Sequence, residues 1–250
     1  MNKGQMPDFV IIGAGKCGTS SLFENLSFHP KIQRPKKTAP KVSVVGHGGK
    51  ELRFFSRNYD LGVDWYADRF PKRLSPSHLL FEATPMYVFQ PVAVAERMRT
   101  VIPNAKTIMI MRNPVDRAWS EYSRTFSHPP HNHRIEKLRD PEYRIIRRGV
   151  YVDQIMRWHR HFPKDSLLFL RAEDYFADAH STLKRVYEFV GVDEVYPDEI
   201  SHLDPWREQK EAFGAMAMPD DVRSMLDEFY APHNKRLEEY LGRNFDWSAS

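Results

Sequence analysis

Apolar residues fall along this chain in two patterns, short unbroken runs and longer stretches at helical spacing. The first run, Phe9-Val10-Ile11-Ile12, is largely β-branched and ends at Gly13, which predicts a strand buried on both faces. Leu79-Leu80-Phe81-Glu82, Thr107-Ile108-Met109-Ile110-Met111 and Leu167-Leu168-Phe169-Leu170 read the same way. Between and after them, apolar positions recur every three or four residues, predicting helices over 19–28, 92–101, 114–126, 151–162, 180–190 and 220–241. Pro30 stops the first of these, and Pro114 suits the opening position of the third. Residues 31–50 are basic and irregular, broken by Pro35, Pro40 and Gly46 to Gly49, and read as loops with room for one short strand over 42–45.

Strands alternating with helices imply βαβ units, so the expected class is α/β, a central parallel sheet flanked by helices. No repeat, low-complexity tract or Gly/Ser linker divides the chain, and a single domain over 1–250 is expected. In such sheets ligands sit beyond the carboxyl ends of the strands. The candidate chemistry lies there.

Composition narrows the class only a little. The 250 residues are 41% hydrophobic and 28% charged, an ordinary globular balance. A lone cysteine, Cys17, excludes an internal disulfide and fits a reducing compartment. The first eight residues lack the charged-then-apolar order of a signal segment, and no apolar run reaches the roughly 18–20 residues of a membrane span. A cytoplasmic protein with no membrane partner is expected. The net charge of +4 fits an anionic ligand but fits a solvated basic surface better.

The segment Gly13-Ala14-Gly15-Lys16-Cys17-Gly18-Thr19-Ser20 joins the first strand to the first helix. Glycines let backbone approach a ligand closely, and a helix start offers unpaired N–H groups and a positive dipole end. With Lys16 and two hydroxyls added, this is an anion cradle rather than a plain turn. Gly13, Gly15 and Gly18 satisfy the dinucleotide pattern G-x-G-x-x-G, but no acid stands between Glu24 and Glu51 to hold a ribose hydroxyl. Arg34 suits a 2′-phosphate instead, which keeps an NADP-dependent oxidoreductase as an alternative. A Walker loop is excluded, because Thr19 stands where its lysine belongs.

A third reading rests on a resemblance. Strand, then G-x-x-K-x-G-T-[ST]-x-L over Gly13 to Leu22, resembles the 5′-phosphosulfate loop of sulfotransferases that use 3′-phosphoadenosine 5′-phosphosulfate (PAPS). The resemblance implies that Lys16 meets the oxygen bridging phosphate and sulfur, and that Gly18, Thr19 and Ser20 hold the 5′-phosphate, with Gly15 and Cys17 completing the loop. Arg112-Asn113-Pro114-Val115-Asp116-Arg117-Ala118-Trp119-Ser120-Glu121-Tyr122 resembles the same family's 3′-phosphate motif, implying that Arg112 and Ser120 bind there. A planar multidonor cation at a strand end suits phosphate oxygens. A blander reading makes Asn113 a helix cap and Asp116 with Ser120 a surface pair, which leaves Arg112 unexplained.

Lys50-Glu51-Leu52-Arg53-Phe54-Phe55 resembles the K-E-x-x-F-F segment of the carbohydrate branch, that of heparan sulfate N- and 3-O-sulfotransferases, and implies a soluble bacterial-type member with Glu51 as general base. A hydroxyl attacking sulfur must shed a proton, and a carboxylate among apolar rings can have its pKa raised toward neutrality. His47 is the next candidate. Gly62-Val63-Asp64-Trp65-Tyr66, Glu82-Ala83-Thr84-Pro85-Met86-Tyr87, Gly149-Val150-Tyr151 and Asn244-Phe245-Asp246-Trp247 match the same branch. Ala83 departs from it, standing where the animal enzymes carry a lysine. In place of the family's late cofactor loop the chain has Arg207 and Lys210, which are expected to help with the 3′-phosphate. The long 31–50 loop is expected to shape the acceptor site.

The expected function is therefore in-line transfer of a sulfuryl group from PAPS to a hydroxyl or amine of an unidentified acceptor, a carbohydrate or small metabolite, releasing 3′-phosphoadenosine 5′-phosphate (PAP). Lysine and arginine supply the charge, with no metal. A non-catalytic nucleotide-binding protein is the other alternative. His128, His131 and His133 lack an accompanying acid or cysteine and read as exposed loop. Arg144, Arg147, Arg148, Arg157 and Arg160 come without a nucleic-acid reading motif and read as a solvated helix face. Cys17, beside Lys16, reads as loop packing rather than a nucleophile.

Overall fold

A computed structural model describes residues 6–36, 50–126, 135–200 and 217–247. They form two compact units, the first from 1–110 with 157–203 and the second from 111–156 with 204–250.

The first unit carries a five-stranded sheet: β1 (Phe9–Gly13), β2 (Ile32–Gln33), β3 (Leu79–Ala83), β4 (Lys106–Met111) and β5 (Leu167–Arg171), in the order β2-β3-β1-β4-β5. β1 runs parallel to both neighbours, Phe9 opposite Phe81 and Lys106, Ile11 opposite Ala83 and Ile108. Every residue of β1 is buried, as its unbroken apolar run requires. β2 is too short to leave a periodic trace in the sequence, yet it pairs in parallel with β3 at Leu79 and Leu80. The chain leaves β1 one way toward β2 and β3 and returns to its other side for β4. The carboxyl end of β1 is therefore a switch point of the kind that binds ligands.

α1 (Thr19–Ser27) buries Leu22, Phe23 and Leu26, and Phe23 meets Phe81 with ring centroids 4.8 Å apart. Before β3, where periodicity predicted no element, lie α2 (Phe54–Arg57), a 3-10 turn and α3 (Gly62–Ala67), whose rings gather around Phe54 and Tyr66, stacked at 4.3 Å. α4 (Val92–Val101) lies where the periodicity puts it. After β5 come α8 (Ala172–Ala177) and α9 (Ala179–Val190), the latter capped by Asp178, which accepts from the Ser181 N–H.

The second unit holds α5 (Pro114–Phe126), α6 (Arg144–Arg147), most of α7 (Tyr151–Trp158) and α10 (Asp220–Leu241). α7 stops four residues before the expected end at 162, because Pro163 disfavours helical backbone just ahead of it and the turn tightens at Trp158. Gly149 is required here: a Cβ would stand 2.7 Å from the hydroxyl of Tyr230, which is itself tied to the Ile146 carbonyl at 2.7 Å.

Candidate functional site

β1 leads straight into the glycine loop, where the Ala14 N–H donates to the Ile110 carbonyl at 2.8 Å. Lys16 at φ 72 and Gly18 at φ 89 both take the left-handed conformation, bending the chain sharply into α1. Burial alternates: Cys17 and Thr19 turn inward, while Lys16, Gly18 and Ser20 stay half-buried. The Cys17 thiol points to the Gly15 carbonyl at 3.6 Å, so it packs the loop. Gly18 is the N-cap of α1, and no side chain caps the helix. A helix start without a side-chain cap, with its positive dipole end, is a place an anion can complete.

The 50–55 segment runs beside this loop. Lys50 is buried, 3% exposed, and its Nζ donates to Ser20 Oγ at 2.9 Å and Thr19 Oγ1 at 3.3 Å. Burial pushes its pKa down to about 8 against the pull of Glu51 and Glu24. Next to it, Glu51 Oε2 accepts two bonds from Arg53, at 2.8 and 3.1 Å. Among the described residues no hydrogen bond reaches Glu51 Oε1. The carboxylate is anchored through one oxygen and presents the other, as a proton acceptor should. The sequence reading set Glu51 among apolar rings; here its direct partner is a guanidinium.

A buried acid holds this segment in place. Glu82 is fully buried on β3 and accepts from Thr84 at 2.7 Å, Tyr66 at 2.8 Å, Tyr87 at 3.2 Å and the Leu52 N–H. Thr84 in turn accepts from the Arg53 N–H and Tyr87 from the Phe55 N–H, each at 3.3 Å. Three amides of the Glu51 segment are therefore fixed by one carboxyl cluster. Burial raises the Glu82 pKa to about 7, although all four bonds favour its charged form. Sequence reasoning quoted Glu82 and Lys50 only as motif letters. The one local signal was the carboxylate at Glu82 inside an apolar strand run; Lys50 had none beyond its motif.

In the second unit Arg112 follows β4, half-buried, its carbonyl held by the Tyr151 hydroxyl at 2.9 Å. Tyr151 packs against Trp247, and Trp247 stacks on Phe245 at 4.6 Å, so the terminal Asn-Phe-Asp-Trp stretch buttresses the Arg112 backbone. Asn113 caps α5 as expected, accepting from the Val115 N–H at 2.9 Å. The proposed surface pair of Asp116 with Ser120 does not form: Asp116 bonds Arg223 at 3.1 Å and Ser120 is buried. Arg117, fully buried, pairs with Glu121 at 2.7 Å and also donates to the Ile145 carbonyl. Burial opposes its charge, but Glu121 more than compensates and its pKa rises.

Other expectations are corrected. Arg34, kept for a 2′-phosphate, is spent on Glu24 through two bonds at 2.8 and 3.3 Å and lies over the Phe23 ring. Arg148 pairs with Glu121, and Arg157 donates to the Gln90 carbonyl at 2.7 Å, so neither belongs to a solvated face. Arg207, Lys210, His47, His128, His131, His133 and the 42–45 strand lie outside the described residues. Among the described residues no group of three or more His, Cys, Asp and Glu gathers around a metal-sized space, and no helix is long and apolar enough to cross a membrane.

Comparison with known proteins agrees with this geometry. Residues 6–204 match the family described as "Sulfotransferase domain". The chain is 30% identical, over 97% of its length, to mouse heparan sulfate glucosamine 3-O-sulfotransferase 3B1, and spans 65% of that protein. It is 29% identical, over 95% of its length, to the human bifunctional heparan sulfate N-deacetylase/N-sulfotransferase 3, covering 30% of it. Among solved structures, a sulfotransferase from Alicyclobacillus acidocaldarius superposes with a TM-score of 0.75 at 27% identity, covering 98% of this chain and 99% of that one. A mouse sulfotransferase crystallised with PAP shares the fold, with a TM-score of 0.54 at 19% identity over 94% of this chain and 88% of that one.

Proposed function

Since the chain belongs to the sulfotransferase family, we propose that it moves a sulfuryl group from PAPS to a carbohydrate hydroxyl or amine, with one catalytic domain spanning 1–250. The observation that carries this reading is the cradle at the start of α1: an uncapped helix, two left-handed residues that turn the chain into it, and a buried ammonium on its hydroxyls. Such a site fits the phosphosulfate end of a nucleotide.

In the first unit, Gly15, Cys17, Gly18, Thr19 and Ser20 shape the loop around the 5′-phosphate, and Lys16 neutralises charge gathering on the bridging oxygen. Glu51 takes the acceptor proton on Oε1 while the acceptor oxygen bonds to sulfur. The sulfur–oxygen bond to phosphate breaks in line, and PAP departs with the electron pair. Arg53 keeps Oε2 occupied, so the proton has one destination. In the second unit, Arg112 and Ser120 are assigned to the 3′-phosphate, with Arg207 and Lys210 as further cations. Lysine and arginine provide the positive charge in this mechanism. Its setting is the cytoplasm, supported by the single cysteine.

The carbohydrate class comes from the named relatives and from the K-E-x-x-F-F segment. Ala83, standing where the animal enzymes carry a lysine, argues against a heparan-like acceptor. The test is transfer of radiolabelled sulfate from PAPS to a panel of glycans and small hydroxyl compounds. Label should appear on a carbohydrate, fall by about 10²–10³-fold in Lys16→Ala, and fall by about 10²–10⁴-fold in Glu51→Gln with PAP affinity unchanged. A folded Lys16→Ala protein with full turnover contradicts the assignment.

A further inference from the structure

We infer that Lys50 is a second cationic ligand for the 5′ phosphosulfate end of the donor, acting with Lys16 at the first turn of α1; this rests on the PAPS reading above. Among the described residues Lys50 is a buried cation that forms no ion pair, with Glu51 and Glu24 acting on it only at longer range. Lys50 is 97% shielded from solvent, yet its described partners are two neutral hydroxyls and the Phe23 ring, 5.9 Å away. The nearby carboxylates are committed elsewhere, Glu24 to Arg34 and Glu51 to Arg53. An ammonium has three N–H donors, and two are used here. Burying a cation without an anion is expensive, and proteins that do so keep the site for a ligand or lose the proton.

The place of Lys50 says which ligand. Thr19 and Ser20 are the first two residues of α1, so Nζ sits at the first turn of a helix that no side chain caps, where the dipole favours an anion. The backbone is fixed as well, since the Ala83 N–H donates to the Lys50 carbonyl at 3.3 Å. Lys50 bonds the hydroxyls of the donor cradle, and Glu51, the next residue, is the base proposed above. One short segment supplies both a donor cation and the base.

Proton linkage follows. The Lys50 pKa is about 8 without ligand, set by burial against Glu51 and Glu24, and a bound anion favours the charged form. Above that value, binding must draw a proton from solution. Calorimetric titration of the full chain with PAP, at pH 7 and pH 9 in two buffers of different ionisation enthalpy, reads this directly. At pH 9 the phosphates are already ionised. Wild type should take up close to one proton at pH 9 and bind about tenfold more weakly there than at pH 7. Lys50→Met should bind at least tenfold more weakly at pH 7, take up no proton at pH 9, and match or exceed wild type in urea stability, because a buried charge is gone. Lys50→Arg should keep affinity without proton uptake, since its charge does not titrate. A Lys50→Met protein that binds PAP as wild type does, with the same proton uptake, overturns the inference alone. So does one that is destabilised yet keeps its affinity. Absence of PAP binding in wild type overturns the PAPS reading and this inference with it.

Discussion

At Gly18 the backbone sits at φ 89, and an added methyl would stand 2.8 Å from the Phe176 ring; at Gly13 it would stand 2.5 Å from Val88 Cγ1. Phe176 is 47% exposed and can swing aside, so Gly18→Ala carries mainly the left-handed strain of about 1–2 kcal/mol. Val88 is 1% exposed and β-branched, leaving no such relief, and Gly13→Ala should cost about 1–3 kcal/mol through overpacking. Gly15 differs from both, since its methyl would meet only the Met86 sulfur at 3.7 Å. Urea denaturation of the three alanine variants should leave Gly15→Ala within about 0.5 kcal/mol of wild type. Equal losses at all three would contradict this account of the loop. The pattern of glycines was visible in the sequence, but it did not distinguish the three. The distinction depends on Val88 and Phe176, which come from distant stretches of chain.

At the scale of elements, the 50–55 segment is ordered by Glu82, and this link is open to a pH measurement. Its pKa is about 7 in the fold against 4.5 as the ordinary value. A carboxyl whose folded pKa is raised favours the fold while protonated. Its contribution is therefore whole below about pH 4.5 and is lost as pH climbs through about 7. Glu82→Gln imitates the neutral acid, so its stability relative to wild type should rise between pH 5 and pH 8, read from urea midpoints. A difference that stays flat across that window would contradict the raised pKa. β1, β3, β4 and β5 were legible as unbroken apolar runs, and α4, α5 and α10 from periodicity, because long apolar faces repeat. Short pieces were not: β2 has two residues, α2 four and α6 four, and each is held by tertiary contacts rather than by its own pattern. Lys50 and Glu82 could be read as motif letters but not as buried charges, since burial is a property of the folded neighbourhood.

The motifs fall in two compact units, the glycine loop with Lys50 and Glu51 in the first, Arg112 and Ser120 in the second. The candidate site was legible because each motif keeps its residues close together in sequence. Arg34, Arg148 and Arg157 were misjudged for the opposite reason. Their partners Glu24, Glu121 and Gln90 were not marked by any local spacing. A nucleotide with phosphates at both ends is the ligand that the glycine loop and the Arg112 motif each fit. The direct measurement is calorimetric titration of the full chain with PAP, with NADPH as the control. PAP should bind, its binding should be lost in Arg112→Ala, and NADPH should give no response. NADPH binding without a response to PAP would contradict the PAPS reading, and would return the glycine loop to a dinucleotide fingerprint.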